Sequence, residues 1–296
     1  MSWWCSSTRQ TWTWVPKPYI GSMLIVAGVV ALALWWVVRG RHTDQLVAAR
    51  EGSMATDIRG TSTGRSVALV CGTLGLWAVL DWPLASLGAG YLASAQMTRQ
   101  ILMVMVVAPL LLFACPPPLA ARLVGWGKRL SILRFISRPI FAVPVAALTL
   151  LAVNAPAVVD PLVKTPYGAF TMDAAWVFAG FVLWLPVQVP HPGVRRLSGG
   201  AALVYLVGQS IVPVIPGFFM TWADSPIYST YELAPRVFAG FDAVTDQQTA
   251  AAILQVGGMV LLWVQISYRF LKWGYEQMEE GSPRPKTMPE ASPVSP

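Results

Sequence analysis

Two glutamines and an arginine, Gln96, Arg99 and Gln100, stand at the start of an apolar run. On a helix the i, i+4 spacing puts Gln96 and Gln100 on one face, with Met97 and Arg99 flanking it. Polar side chains in an apolar span are costly, so each is a candidate for partner contacts or ligand binding. The same reasoning selects Asp173, in the first turn of a second run that begins near Ala169. It also selects Asp246, Gln247 and Gln248, which open a third run, while Asp81 and Asp160 close two others. Arg99 and Asp173 fall at similar depth: either they pair, or both extend to water. Asp246 is placed to cap the start of its own helix by accepting backbone N–H bonds.

Other chemistry is thin. Met97, Met172 and Met220 fall near the same helix ends, and thioethers suit Cu(I), although methionine is equally a filler of apolar cores. Cys5, Cys71 and Cys115 form no close pair, which leaves a disulfide framework, a zinc ribbon and a thioredoxin-like site unsupported. The two histidines are His42 and His191. No phosphate-binding loop, dinucleotide fingerprint, nucleophile elbow or HExxH is present, and Ser210 and Asp224 lack a histidine base. No enzyme is expected.

The elements that must position these residues follow from composition. Of 296 residues, 55% are hydrophobic and 12% charged, too few charges to cover a water-soluble surface. Seven stretches are long enough to span a bilayer as helices: near Tyr19–Val38, Ser66–Trp82, Ser94–Ala114, Pro139–Ala157, Phe170–Val189, Gly200–Trp222 and Gln247–Leu271. The first lacks a small-x-small cleavage site and reads as a retained span. The expected fold is all-α, a polytopic membrane bundle of about seven helices over residues 19–272. An interfacial Trp-rich segment (1–18, with Trp3, Trp4, Trp12 and Trp14) precedes it, and a disordered tail (273–296) follows.

Sixteen of the 21 Lys and Arg fall in alternate loops and the tail, which places the N-terminus outside and the C-terminus in the cytoplasm. The formal charge of +7 is this topological bias. No basic helix or aromatic-basic patch accompanies it, so nucleic acid is not an expected partner. On this topology the polar residues above converge on the extracytoplasmic end. Pro109, Pro213 and Pro216 interrupt spans, as in transporters with broken helices or as simple kinks. A small-solute transporter or channel therefore remains an alternative.

The run from Ser94 to Leu110 (Ser-Ala-Gln-Met-Thr-Arg-Gln-Ile-Leu-Met-Val-Met-Val-Val-Ala-Pro-Leu) resembles a signature of the seven-span CtaG family of bacterial cytochrome c oxidase assembly factors. Asp81-Trp82-Pro83-Leu84, Gly180 to Pro186, Leu233-Ala234-Pro235-Arg236, and Asp246-Gln247-Gln248 followed by Ile253 and Gly258 are similar too, in the family's order. The resemblance implies a multi-pass protein of the bacterial cytoplasmic membrane whose partners are an oxidase subunit and the lipid bilayer. It also implies a role in bringing copper to the oxidase.

The departures bear on that last point. The family's His-Met-x-x-His is here Gln96-Met97-Thr98-Arg99-Gln100, and its His-x-x-Glu-His falls on Ala169, Met172 and Asp173. The Met-Trp after Asp-Gln-Gln is Leu254-Gln255. Cu(II) favours imidazole, and amides are poor ligands for either copper state. The expected function is therefore an assembly factor or accessory membrane subunit acting on the extracytoplasmic face without a cofactor. A Cu(I) carrier using Met97, Met172 and Met220 is the alternative.

Overall fold

A computed structural model describes the backbone of residues 2–48 and 55–281, and the side chains of 2–35 and 63–278. Every regular element among the described residues is helical: α1 (Ile20–Ala48), α2 (Ala55–Leu80), α3 (Leu84–Gly90), α4 (Ala93–Leu102, a π turn over Met103–Val107, then Ala108–Ala114), α5 (Pro117–Val124) and α6 (Lys128–Ile136). There follow α7 (Pro139–Asn154), α8 (Pro156–Leu162), α9 (Pro166–Gln188), α10 (Gly199–Gln209), α11 (Val214–Trp222), α12 (Ser229–Glu232) and α13 (Ala243–Ala252, a π turn over Ile253–Gly257, then Gly258–Gly281).

All seven apolar stretches are chiefly helical, the sixth being divided between α10 and α11, and the chain is a helical polytopic membrane protein. Five helices are long and apolar enough to cross a bilayer: Thr63–Leu80, Ala93–Ala114, Pro166–Gln188, Gly199–Trp222 and Ala243–Met278. A sixth is reached if α6 and α7, bent by 77°, count as one span. The apolar run Ile20–Trp35 of α1 is shorter. Helix α13 continues to Gly281, past residue 273 where a tail was expected to begin; residues 282–296 lie outside the described residues.

Burial separates the inner helices from the outer ones. Within α4 and α9, 61% of the span is buried, against 33% in α2, α10–α11 and α13, so α4 and α9 form the centre. Side chains such as Ile140, Leu148, Val204, Trp222 and Val264 project outward, forming the apolar exterior that suits lipid and would be a liability in water.

Proline sets the local irregularities. In the α4 π turn the amide of Ala108 bonds to Met103, five residues back. The carbonyl of Val104 would then look to residue 109, and Pro109 has no N–H. The indole of Trp184 on α9 fills the vacancy, donating to Val104 O at 2.8 Å. Pro213 likewise follows the end of α10 and precedes α11, which breaks the sixth stretch.

The two central helices meet at a glycine. A Cβ on Gly180 would lie 2.8 Å from Ala108 Cβ and 3.2 Å from Val104 Cα, both on a backbone that cannot swing away. Gly180→Val is expected to destabilise the bundle by about 1–3 kcal/mol through overpacking. Gly208→Ala, at a position with nothing within 4 Å, should leave it unchanged. Apparent melting temperatures from tryptophan fluorescence in detergent, at one fixed scan rate, check both. Equal midpoints for the two variants would remove the close approach as a constraint.

Candidate functional site: a buried polar cluster at one end of the bundle

Arg99 lies in the second turn of α4 and is only 1% exposed. Its Nη2 donates to both oxygens of Asp173 on α9, at 2.7 and 2.8 Å. Its Nη1 donates to Gln96 Oε1 at 2.9 Å, and its Nε to the carbonyl of Val79 at 2.9 Å. The guanidinium also sits 5.4 Å from the Trp176 ring centroid, within cation–π range. The pairing weighed from sequence is thus present, and extension of both groups to water is not what the structure has.

The Val79 acceptor has a sequence cause. In a continuing helix that carbonyl would receive the amide of residue 83, which is Pro83 and has none. The proline that ends α2 therefore leaves an acceptor for the arginine of α4. Asp173 takes one bond more, from the indole N–H of Trp4 at 2.9 Å.

Trp4 stands apart from the other tryptophans of the amino-terminal segment expected at the interface. Trp3 and Trp14 are exposed, but Trp4 and Cys5 are buried in the central apolar cluster. The segment is held by Ser7 N to Val163 O at 2.7 Å and Gly21 N to Trp3 O at 2.8 Å. Burial pushes the Cys5 thiol up to about 12, so it stays a protonated core thiol.

Asp246 is also corrected. It does cap a helix, but not its own. Its carboxylate accepts from the amides of Ala93 and Ser94 and from the Ser94 hydroxyl, closing the start of α4. Its own helix is capped by Asp242, which accepts from Thr245 N at 2.7 Å. Hydrogen bonding from Thr245, its amide first, holds the Asp242 carboxyl below its ordinary range.

The neighbouring glutamines divide. Gln247 is buried; it accepts from Ile227 N at 2.7 Å and donates to Met220 O at 3.1 Å, tying the loop after α11 to α13. Gln248 is exposed. Asp160 bonds the amides of Ser229 and Thr230 at the start of α12. Burial raises its carboxyl and those bonds outweigh it, so the net direction is down.

Gln96 and Gln100 share a face but not a partner. Gln96 turns to Arg99, whereas Gln100 lines a small cavity with Asn154 and Gln209 between α4, α7 and α10, and its Oε1 has no partner among the described residues. Met97, Met172 and Met220 are fully buried in the central apolar cluster, and Met220 Sδ lies 4.0 Å from the Tyr228 hydroxyl.

Among the described residues no three His, Cys, Asp or Glu side chains group to hold a metal ion. At the cluster itself the donor set is wrong for copper. Asp173 is committed to a guanidinium and an indole, and the two amides offer weak ligands beside a fixed positive charge.

Sequence reading missed three participants. Trp176 was legible, since it lies three residues from Asp173 on the same helix face. Val79 O was legible in principle from Pro83. Trp4 carried no local signal.

Removal of Arg99 leaves Asp173 buried with only an indole. Arg99→Ala is expected to destabilise the folded bundle by about 3–5 kcal/mol, and Gln96→Ala by about 1 kcal/mol. Arg99→Ala combined with Asp173→Ala should cost less than the sum of the two single changes. Thermal midpoints in detergent measure all four variants. Equal tolerance of Arg99→Ala and Gln96→Ala would count against the pair as the organising contact.

No curated protein and no solved structure matches the chain. Residues 34–275 match the family described as cytochrome c oxidase caa3 assembly factor (Caa3_CtaG). That stretch holds every helix of the cluster and most of the chain, and with its bundle of apolar helices the protein belongs to the caa3-type cytochrome c oxidase assembly factor family.

Proposed function

We propose that this member of the family assists oxidase assembly, or stays as an accessory membrane subunit, by binding an oxidase subunit at the end of the bundle that carries the Arg99 cluster. On the lysine and arginine bias that end is extracytoplasmic. The cluster itself carries no copper. The observation that carries this reading is the internal pairing of Arg99 and Asp173. Where the family resemblance places imidazoles, this chain has Gln96, Gln100 and Asp173, and the Arg99 guanidinium donates internally from each of its nitrogens, to Gln96 and Asp173 among others.

The cluster then acts through geometry. It fixes the end of α2 and the starts of α4 and α9 relative to one another, and Asp246 and Gln247 add the start of α13 and the loop before it. Around that end stand large exposed apolar side chains: Tyr167, Leu233 and Phe238. A rim of this kind on a rigid support is what a membrane-protein partner needs, because aromatic and aliphatic anchors dominate such contacts.

Full-length tagged protein, purified in mild detergent from cells that make the oxidase, is expected to bring oxidase subunits with it. After Cu(I) loading under reducing conditions and a chelator wash it should hold no copper. Leu233→Asp or Phe238→Asp should lower recovery of the oxidase subunits about tenfold, an effect equivalent to one lost apolar anchor, without lowering the melting midpoint. Retention of about one copper per chain, lost when Met97, Met172 and Met220 are changed together, would instead return the reading to a thioether copper carrier.

A further inference from the structure

The family match begins at residue 34, so the amino-terminal segment lies outside the matched region. Its residues 2–19 follow an irregular path across one end of the bundle, pinned at Ser7 and Gly21 and again where Tyr91 Oη donates to Gln10 O at 3.0 Å and Tyr19 N to Asp81 Oδ1 at 3.2 Å. Between this segment and the Trp82–Tyr91 region lies a cavity of 140 Å³. Roughly 10–15 Å³ of such space suffices for one water.

The lining is rich in donors. It includes Lys17, Ser2, Ser6, Thr13, Trp12 and Trp82. The indole N–H groups of Trp12 and Trp82 are buried and have no acceptor among the described residues, a costly condition in a folded protein. Other lining hydroxyls are already engaged, Tyr19 with Ser86 at 2.6 Å and Tyr91 with Gln10.

No carboxylate lines the cavity, and residues 1–43 contain none. The adjacent Asp81 is occupied by the amides of Tyr19 and Trp82 and by the Trp77 indole. The lining therefore offers a basic side chain, hydroxyls and two indole donors without acceptors, and no anionic group of its own.

The aromatic surroundings place it at headgroup level. Trp12 packs against Trp14 at 5.3 Å and Tyr91 at 5.0 Å, and Trp14 against Trp82 at 6.4 Å, in the aromatic arrangement found where a membrane meets water. We propose that this cavity binds a phosphate group, borne by a lipid headgroup or by free phosphate. A tetrahedral oxyanion supplies several acceptors in different directions, which the scattered donors call for and a single carbonyl cannot give.

The test uses the full-length chain in a maltoside detergent, which carries no phosphate. It is titrated with inorganic phosphate and, separately, with dihexanoyl-phosphatidylglycerol below its micellar concentration. Tryptophan fluorescence reports binding, and native mass spectrometry identifies the adduct. Saturable binding of at least one probe is expected, weakened about tenfold by Lys17→Gln and by Trp12→Phe, which keeps the ring and removes the N–H. Binding of both probes assigns the site to the phosphate group alone, and binding of the lipid only assigns it to a headgroup with its chains. Absence of saturable binding for both probes, or binding that neither substitution weakens, overturns the proposal. Lys17 is exposed, so its substitution leaves folding out of the result.

Discussion

A guanidinium inside a membrane bundle constrains everything around it. Its charge does not vanish by deprotonation, and its planar fork has to be met by acceptors in fixed directions. In this chain the requirement is met by four different pieces of structure: a carboxylate from α9, an amide from its own helix, a backbone carbonyl from the end of α2, and an aromatic face from α9. The carboxylate in turn recruits Trp4 from a segment that has no helix to hold it. Loss of any piece strands a buried polar group, so the contact fixes position more than it adds net stability.

Three more carboxylates at that end are paired as well, chiefly with backbone amides. Asp246 accepts from two open amides of α4, Asp242 from one of α13 and Asp160 from two of α12. Prolines supply the matching acceptors. Pro83 frees the carbonyl of Val79 for Arg99, and Pro109, with the π turn before it, frees that of Val104 for Trp184. What reads along the chain as kinks in apolar helices is also a way of exposing single carbonyls inside a bundle, where water is not there to take them.

The sequence was most legible where cost is highest. Seven apolar stretches reported their helices because few other structures place such runs, although the lengths of α1 and of the bent α6–α7 pair depend on packing that composition does not encode. The Arg99–Asp173 contact could be anticipated because a buried charge needs an opposite one at its own depth. Asp246 was half legible. A carboxylate at a helix start has the same chemistry toward its own amides as toward a neighbour's, and only the tertiary arrangement, with Asp242 four residues earlier, decides between them. Trp4 was not legible at all, since nothing in an irregular segment records that its indole meets a carboxylate 169 residues away.

On the proposed reading, the ion pair also bears on how this chain does without the histidines, and the copper role, that the resemblance implies. A site built to receive a cation leaves uncompensated acceptors whenever it is empty, and in a dry bundle end that state is costly. A guanidinium joined to the chain supplies the positive charge permanently, and its bidentate bonds hold Asp173 in one orientation. The helix ends are then positioned by the polypeptide itself, whether or not metal is present. Such a cluster gives up exchange with a soluble cargo and gains a fixed surface, and a fixed surface is the requirement of a protein that recognises another membrane subunit.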